Sequence, residues 1–351
     1  MAGLFETMLL CVESPATAAV STFTRLVPSD AQQTGTLAQR IGTVALAVAH
    51  ATRLAQSLDE LPGWFPIHAR RAARLESRDA VQDTLLSAVH DAMAQWDAAA
   101  TTDRTTPRAD CFRVKFSVTS SSTLAIDEAG ASSSSAQCNP DDQSPPIVVA
   151  TKAELWPLGL TETNLPQLLQ LLDQHDPSPD QQRSSSDVVF TAAEIASHPM
   201  EMLIHSLLHN PATPNPIRNI RIAPPECWVR AANPALAHKT IQRGIYDRAK
   251  AGVGSDCFDV LLVNDQQHVT EAAIANIAIR ETLADGHVRW ITPPLCAGIL
   301  PGTLRAELVR AGLLHEALIT VQMLQLAVFE GRASIFCMNS LRGIYRVALL
   351  F

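Results

Sequence analysis

The segment Phe258–Arg305 constrains the fold of this chain more than any other stretch of the sequence. It reads FDVLLVNDQQHVTEAAIANIAIRETLADGHVRWITPPLCAGILPGTLR. Short apolar runs alternate with brief polar turns, which is typical of neighbouring strands in one sheet. A Pro-Gly turn before Thr303 predicts the start of a helix. Glu271 and Asn276 lie on the strands between these features.

This order allows Glu271 and the helix start at Thr303 to bind the two ends of one ligand. The free backbone N–H groups and the positive dipole end make a helix start a site for anions. A ligand with a basic ring nitrogen and a phosphate suits both groups, and pyridoxal 5′-phosphate is such a ligand. That cofactor also requires a lysine amine. The 27 basic residues include only four lysines, which are Lys115, Lys152, Lys239 and Lys250.

Composition indicates a soluble chain with an ordinary core. Its 351 residues are 47% hydrophobic and 18% charged, which is enough for two domains. The net charge of −8 favours neither a nucleic-acid partner nor an anionic membrane. The seven cysteines form no C-x-x-C motif and predict free thiols in a reducing compartment. No apolar stretch approaches the roughly 20 residues of a membrane helix, and the start resembles no signal peptide, so we expect a cytoplasmic protein.

The change in composition along the sequence predicts an α+β protein with two domains. The smaller N-terminal domain, residues 1–209, contains two Ser- and Pro-rich insertions, Gly130–Pro146 and Asp176–Ser186. A Pro-rich linker is expected at 210–225, and a mixed-sheet domain at 226–351.

Periodicity predicts the main elements of both domains. Strands are expected at 4–12, 113–118, 258–264, 273–279 and 288–292, and helices at 36–58, 80–98, 239–251 and 303–311. The helix expected at 239–251 would have Lys239 on its first turn.

Three motifs in the second half resemble the class IV aminotransferase family, the fold-type IV pyridoxal-phosphate enzymes. The first is K-x-x-x-R, at Lys239 and Arg243. The second is V-T-E-x-x-x-x-N, which contains Glu271 and ends at Asn276. The third is a Thr-Pro strand end followed by L-x-G-x-x-R, which ends at Arg305.

The N-terminal half adds weaker likeness to the same family. Residues 4–7 read LFET and resemble the opening strand of the family. From His50 the chain reads HATRLAQS, which resembles the helix end H-x-x-R-L-x-x-S that supplies a phosphate-binding arginine. The resemblance covers residues 4–60 and 226–351 well, and it covers 90–220 poorly.

The resemblance implies a fold-type IV enzyme with two α/β domains and bound pyridoxal 5′-phosphate. It makes Lys239 the Schiff-base lysine and Glu271 the partner of the ring nitrogen. It also implies a set of phosphate ligands, which are Arg53, the backbone amides of Thr303 and Leu304, and the hydroxyl of Ser340.

Within the family, the chain resembles most closely the 4-amino-4-deoxychorismate lyases of the fungal type. The shared features are the N-terminal insertions, the GILPGTLR turn and the Asn339-Ser340 segment. The implied reaction removes pyruvate to give 4-aminobenzoate for folate synthesis, with Lys239 as the general acid and base. The substrate has two carboxylates, and the candidate ligands are Arg243, Arg113 and Arg342.

Two other functions stay open at this point. One is a branched-chain or D-amino-acid aminotransferase with the same cofactor, and the other is a relative that binds no cofactor. The family resemblance also implies a homodimer. His205 and His209 form an H-x-x-x-H motif, but it lacks the Glu of zinc proteases, so we expect no metal.

Overall fold

The computed structural model describes most of the chain in eight ranges. These ranges are 2–12, 23–26, 42–102, 111–121, 147–158, 163–173, 199–208 and 216–351. The two Ser- and Pro-rich insertions expected at Gly130–Pro146 and Asp176–Ser186 lie outside the described residues. The chain divides into two compact units: Met1–Leu158 with His238–Gln242, and Gly159–Ala237 with Arg243–Phe351.

The first unit contains a five-stranded antiparallel sheet with the strand order β2-β3-β1-β4-β5. Its strands are β1 (Ala2–Val12), β2 (Phe23–Leu26), β3 (Gly42–Ala45), β4 (Cys111–Ser120) and β5 (Val149–Leu158). Its helices are α1 (Ala47–Glu60), α2 (Ile67–Ala72) and α3 (Arg78–Thr102).

Alternation along the central strands gives this sheet one apolar face and one face of mixed polar and apolar residues. Leu4 and Met8 of β1 and Phe112 and Phe116 of β4 are buried with residues of α1 and α3 in one core. Because successive side chains of a strand point to opposite faces, the residues between them form the other face. Glu6 lies on the apolar face, since it alternates with Leu4 and Met8.

The second unit contains a mixed eight-stranded sheet with the order β11-β10-β9-β12-β13-β6-β7-β8. Its strands are β6 (Arg218–Ile222), β7 (Asp259–Val263), β8 (Val269–Ala272), β9 (Asn276–Thr282), β10 (Val288–Thr292), β11 (His315–Glu316), β12 (Ala333–Asn339) and β13 (Gly343–Leu349). Its helices are α4 (Leu165–Asp173), α5 (Pro199–Leu208), α6 (Gly244–Ala251), α7 (Thr303–Arg310) and α8 (Val321–Phe329). Strand β6 pairs parallel with β13 and β7, and β10 pairs parallel with β11.

Several expected elements are confirmed. The strands expected at 4–12, 113–118, 258–264 and 288–292 are present, as are the helices expected at 80–98 and 303–311. No helix among the described residues combines the length and the apolar character that crossing a membrane requires.

The helix expected at 36–58 is wrong in its first half. Residues 36–41 lie outside the described residues, and Gly42–Ala45 form strand β3 before α1 begins at Ala47. Val44 pairs with Leu10 of β1, and this sheet pairing overrides the helical spacing of the apolar residues.

Two further boundaries differ from expectation in the second unit. The strand expected at 273–279 is interrupted, because Ala273–Ala275 form the turn between β8 and β9. Arg218–Ile222 lie inside the expected linker but form strand β6. Residues 209–215 lie outside the described part of the chain, so the domain division at 210–225 stays a prediction.

Candidate active site

Lys239 lies in an extended segment of the first unit, and helix α6 begins only at Gly244. The Lys239 carbonyl accepts a hydrogen bond from the Phe5 amide at 2.9 Å, and the Ile241 amide donates to the Gly3 carbonyl at 2.9 Å. The expected helix start at Lys239 is therefore wrong. Pairing with β1 supplies the backbone hydrogen bonds that a helical turn would have supplied.

Two lysine amines lie beside the ring of Phe5. The Nζ atom of Lys239 is 5.2 Å from the ring centroid, and the Nζ atom of Lys115 is 5.4 Å from it. Lys115 pairs with Thr7 across β4 and β1, so its side chain lies on the same sheet face as Phe5. All of these side chains are partly buried. The first unit therefore gathers two amines and an aromatic ring on the sheet face opposite its apolar core.

Arg53 is buried in an ion pair on the apolar side of the same sheet. Its Nε atom donates to Oε1 of Glu6 at 3.0 Å, and its Nη2 atom donates to Oε2. Burial raises the pKa of the Glu6 carboxyl, but the Arg53 charge and the His50 hydrogen bond outweigh it and lower the pKa to about 2. The ionised carboxylate holds the guanidinium in a bidentate contact.

His50 completes this buried group from the helix turn before Arg53. Its Nδ1 atom lies 2.7 Å from Oε2 of Glu6. Burial lowers the pKa of His50, so the neutral ring donates its Nδ1 proton to the carboxylate. Its Nε2 atom has no hydrogen-bond partner among the described residues. The Glu6 contact uses two of the five N–H groups of Arg53, and the expected role of Arg53 at a phosphate stays a prediction.

In the second unit, Glu271 is a buried carboxylate on the edge strand β8. Its Oε1 atom accepts a hydrogen bond from the Tyr246 hydroxyl at 3.0 Å. Its Oε2 atom accepts one from Nδ2 of Asn276, also at 3.0 Å. Each carboxylate oxygen therefore has a protein donor, so the side chain is held in one orientation.

The side chain of Asn276 joins Glu271 to the turn that precedes helix α7. Its Nδ2 atom also donates to the Leu300 carbonyl at 3.0 Å. Helix α7 follows with Gly302 at its N-cap, no side-chain cap and no acidic residue in its first turn. The first amide groups of a helix have no partner inside the helix, so this uncapped start is suited to an anion. One asparagine thus connects a carboxylate with the uncapped start of helix α7.

The expected phosphate ligands of this unit are distributed over two turns. Thr303 and Leu304, both buried, open helix α7. Ser340, also buried, opens the turn between β12 and β13. The Asn339 side chain accepts hydrogen bonds from the backbone amides of Leu341 and Arg342 and donates to the Ile274 carbonyl at 3.1 Å. Asn339 therefore ties the Ser340 turn to the turn that follows Glu271.

The three arginines expected to bind substrate have different surroundings. Arg243 donates to the Ala273 carbonyl at 2.6 Å, next to the Glu271 strand. Arg113 is exposed in the first unit, with its Cζ atom 5.2 Å from the Trp156 ring centroid. Arg342 is partly buried in the second unit, where its Cζ atom lies 5.8 Å from the Phe258 ring centroid.

Arg305, the last residue of the third motif, has a structural position. Its Nε atom donates to Oγ1 of Thr292 at 3.3 Å, and its Nη2 atom donates to the Pro293 carbonyl at 2.7 Å. Arg305 also forms an ion pair with Glu316. The arginine therefore fixes helix α7 to the end of β10, which explains why the motif joins a Thr-Pro strand end to this helix.

Sequence reasoning missed three residues of these groups. Glu6 had a clear signal, because its place in the alternation of β1 puts a carboxylate on an apolar face. Tyr246 follows Arg243 by three residues, but the helix boundary was misplaced. Lys115 is one of only four lysines, yet no local pattern connects β4 with β1. Within the described residues no cluster of His, Cys, Asp or Glu could hold a metal ion, and His209 lies outside them.

Part of this chain is similar to known proteins. The family model described as amino-transferase class IV matches residues 186–350. The chain resembles the class IV aminotransferases. All three motifs, from Lys239 to Arg305, lie inside the matched region.

A curated protein that this chain resembles comes from Schizosaccharomyces pombe (strain 972 / ATCC 24843) and is named "Putative aminodeoxychorismate lyase". The two sequences are 34% identical over 121 residues, which is 34% of this chain and 49% of that protein. The match therefore spans about half the length of the curated relative.

A solved structure shares the fold of this chain. The branched-chain amino acid aminotransferase of Escherichia coli has a TM-score of 0.50 and 12% sequence identity, with 99% of this chain and 77% of that chain covered. The expected α+β architecture and the expected fold-type IV fold are confirmed.

Proposed function

We propose that this protein is a pyridoxal-phosphate-dependent aminodeoxychorismate lyase. The observation that carries the proposal is the contact of Asn276 with both Glu271 and the turn before α7. It couples a carboxylate suited to a protonated ring nitrogen with a helix start suited to a phosphate. The identity to the Schizosaccharomyces pombe protein favours the lyase reaction within the class IV family.

Each unit, taken by itself, contains donor groups of the kinds that this cofactor requires. Glu271 would pair with the ring nitrogen, and the amides of Thr303 and Leu304 with the phosphate. Ser340 and Arg53 are the further phosphate ligands that we propose. When bound, pyridoxal phosphate supplies an electron sink for the charge left after removal of a proton.

Lys239 is the general base and acid of the proposed reaction. Its amine removes the proton from the substrate carbon that bears nitrogen. The six-membered ring of the substrate becomes aromatic as the C–O bond to the enolpyruvyl group breaks. The departing enolate takes up a proton from Lys239, which gives one pyruvate and one 4-aminobenzoate. Partial burial of Lys239 limits the access of water to this proton.

The two carboxylates of the substrate require cationic partners. Our candidates are Arg243, Arg113 and Arg342. We add Lys115, because its amine lies beside the Phe5 ring, as the amine of Lys239 does. Arg243 already donates a hydrogen bond to the Ala273 carbonyl. We therefore expect it to contribute less to the binding of the substrate carboxylates than the other candidates do.

The alternative is an aminotransferase, since the class IV family model covers the same motifs. The purified protein, supplied with pyridoxal phosphate, is incubated with aminodeoxychorismate, and 4-aminobenzoate and pyruvate are measured separately. We expect equal amounts of both products, and none from Lys239→Ala. Amino-group exchange between branched-chain or D-amino acids and a keto acid, without 4-aminobenzoate, would replace the lyase proposal by the alternative.

A further inference from the structure

Tyr246 is one of two tyrosines in the chain, and its hydroxyl contacts the carboxylate assigned to the cofactor ring. It lies on the first turn of α6, and its Oη atom is 3.0 Å from Oε1 of Glu271. Burial and the nearby Glu271 charge raise the pKa of Tyr246 well above its ordinary value of 10. The hydroxyl therefore keeps its proton near neutral pH and donates it to the carboxylate.

The orientation of Tyr246 is fixed from a second side. The Cζ atom of Arg243 lies 4.8 Å from the centroid of the tyrosine ring. Arg243 is itself anchored to the Ala273 carbonyl at 2.6 Å. The phenol is thus held between a cation on its face and the Glu271 carboxylate at its hydroxyl.

A hydrogen bond to a carboxylate stabilises its charged form. When Glu271 shares a proton with a ring nitrogen, each donor to the carboxylate moves that proton toward the nitrogen. Asn276 donates to the Oε2 atom of Glu271, and Tyr246 donates to its Oε1 atom. Loss of its hydroxyl leaves the carboxylate more basic.

We infer that Tyr246 is a positioning residue that keeps Glu271 ionised and oriented, and thereby keeps the cofactor ring nitrogen protonated. The inference rests on the cofactor assignment in the proposed function. It adds a residue that acts through Glu271 and does not touch the reacting atoms.

Tyr345 provides a matched control for Tyr246. It is the other tyrosine of the chain, it is buried in the second unit, and its Oη atom has no hydrogen-bond partner among the described residues. Tyr345→Phe and Tyr246→Phe remove the same hydroxyl group, but only Tyr246→Phe removes a donor to Glu271.

The direct test is the ¹⁵N NMR shift of the ring nitrogen in ¹⁵N-labelled pyridoxal phosphate bound to the full chain. We expect the signal of Tyr246→Phe to move toward the unprotonated position and that of Tyr345→Phe to stay with the wild type. Equal signals in all three proteins would overturn the inference. A wild-type protein that takes up no pyridoxal phosphate would instead contradict the proposed function.

A second measurement covers the case in which Tyr246→Phe folds poorly. Because the chain has two tyrosines, 3-fluorotyrosine incorporated into Tyr345→Phe labels position 246 alone with a more acidic phenol. Cofactor affinity is lost as Glu271 takes up a proton on acidification, so a stronger donor lowers the pH midpoint of that loss. We expect a decrease for the fluorinated protein and an increase of about one pH unit for Tyr246→Phe, the shift worth about 1.4 kcal/mol. Midpoints that do not change in either protein would overturn the inference.

Discussion

Asn276 packs so closely against Gly302 that a Cβ atom added to this glycine would lie 1.8 Å from the Asn276 Oδ1 atom. The Nδ2 atom of the same asparagine bonds Glu271 and the Leu300 carbonyl. The absence of a side chain at Gly302 is therefore a condition for the link between the carboxylate and the start of helix α7.

Gly302→Ala is expected to weaken the binding of pyridoxal phosphate by at least about tenfold, which corresponds to about 1.4 kcal/mol. The methyl group would displace Asn276 and disturb both the Glu271 side chain and the anion-binding turn. Titration of the cofactor absorbance measures the affinity. Gly244→Ala is the control, because its nearest contact would be an ordinary 3.4 Å to Nη1 of Arg248. Equal affinities of the two variants would contradict the role given to Asn276.

Glu6→Gln tests the buried ion pair in the first unit. The folded-state pKa of Glu6 is about 2, below its ordinary value of 4.5. A lowered pKa stabilises the fold above the unfolded value, and this contribution is lost as the pH falls from about 4.5 to about 2. At pH 7 the ionised Glu6 contributes on the order of 3 kcal/mol to the free energy of unfolding.

The expected result is a difference in unfolding free energy between wild type and Glu6→Gln that narrows by about 2 kcal/mol between pH 7 and pH 3. Urea unfolding at both pH values measures this difference. Glu76→Gln is the control, since Glu76 is exposed. A difference that is constant with pH would show that Glu6 gains no stability from its charge.

Lys115→Met tests the second amine beside Phe5. Within the described part of the chain, no carboxylate pairs with Lys115, and its cross-strand neighbour Glu154 binds Lys152 at 2.8 Å instead. Lys115, which none of the described carboxylates pairs with, is suited to a carboxylate of the proposed substrate. We expect KM to rise about tenfold, the loss of roughly 1.4 kcal/mol of binding, while kcat changes little.

Lys152→Met is the control for this measurement, because it removes a lysine from the same sheet that already has an ion pair. Steady-state kinetics with aminodeoxychorismate give both constants for each variant. If Lys115→Met and Lys152→Met had the same KM, Lys115 would have no part in substrate binding.

The sequence predicted the elements whose patterns are local. Helix α3 has an apolar stripe from Val81 to Met93, and helix α7 follows a Pro-Gly turn, so both were found near their true bounds. Strand β5 was missed, because it pairs with β4 across an insertion and no local signal connects them. Strand β3 was mistaken for helix, since the sheet contact with β1 decides its conformation.

The candidate site was predictable where motifs name residues and unpredictable where the fold brings them together. Lys239 and Glu271 were chosen from motifs, but the extended backbone at Lys239 depends on its pairing with β1. Tyr246 meets Glu271 only because helix α6 begins at Gly244, which moves the tyrosine onto its first turn. Glu6 was detectable from alternation alone.

The most direct test of the whole account is to identify the lysine that binds the cofactor. Borohydride reduction of the protein with bound pyridoxal phosphate converts a lysine–cofactor C=N bond into a stable amine, and peptide mass spectrometry then locates it among four lysines. The account predicts that the label lies on Lys239 and is absent from Lys115, although both amines lie beside the Phe5 ring. A label on Lys115, Lys152 or Lys250, or no label on any lysine, would contradict it.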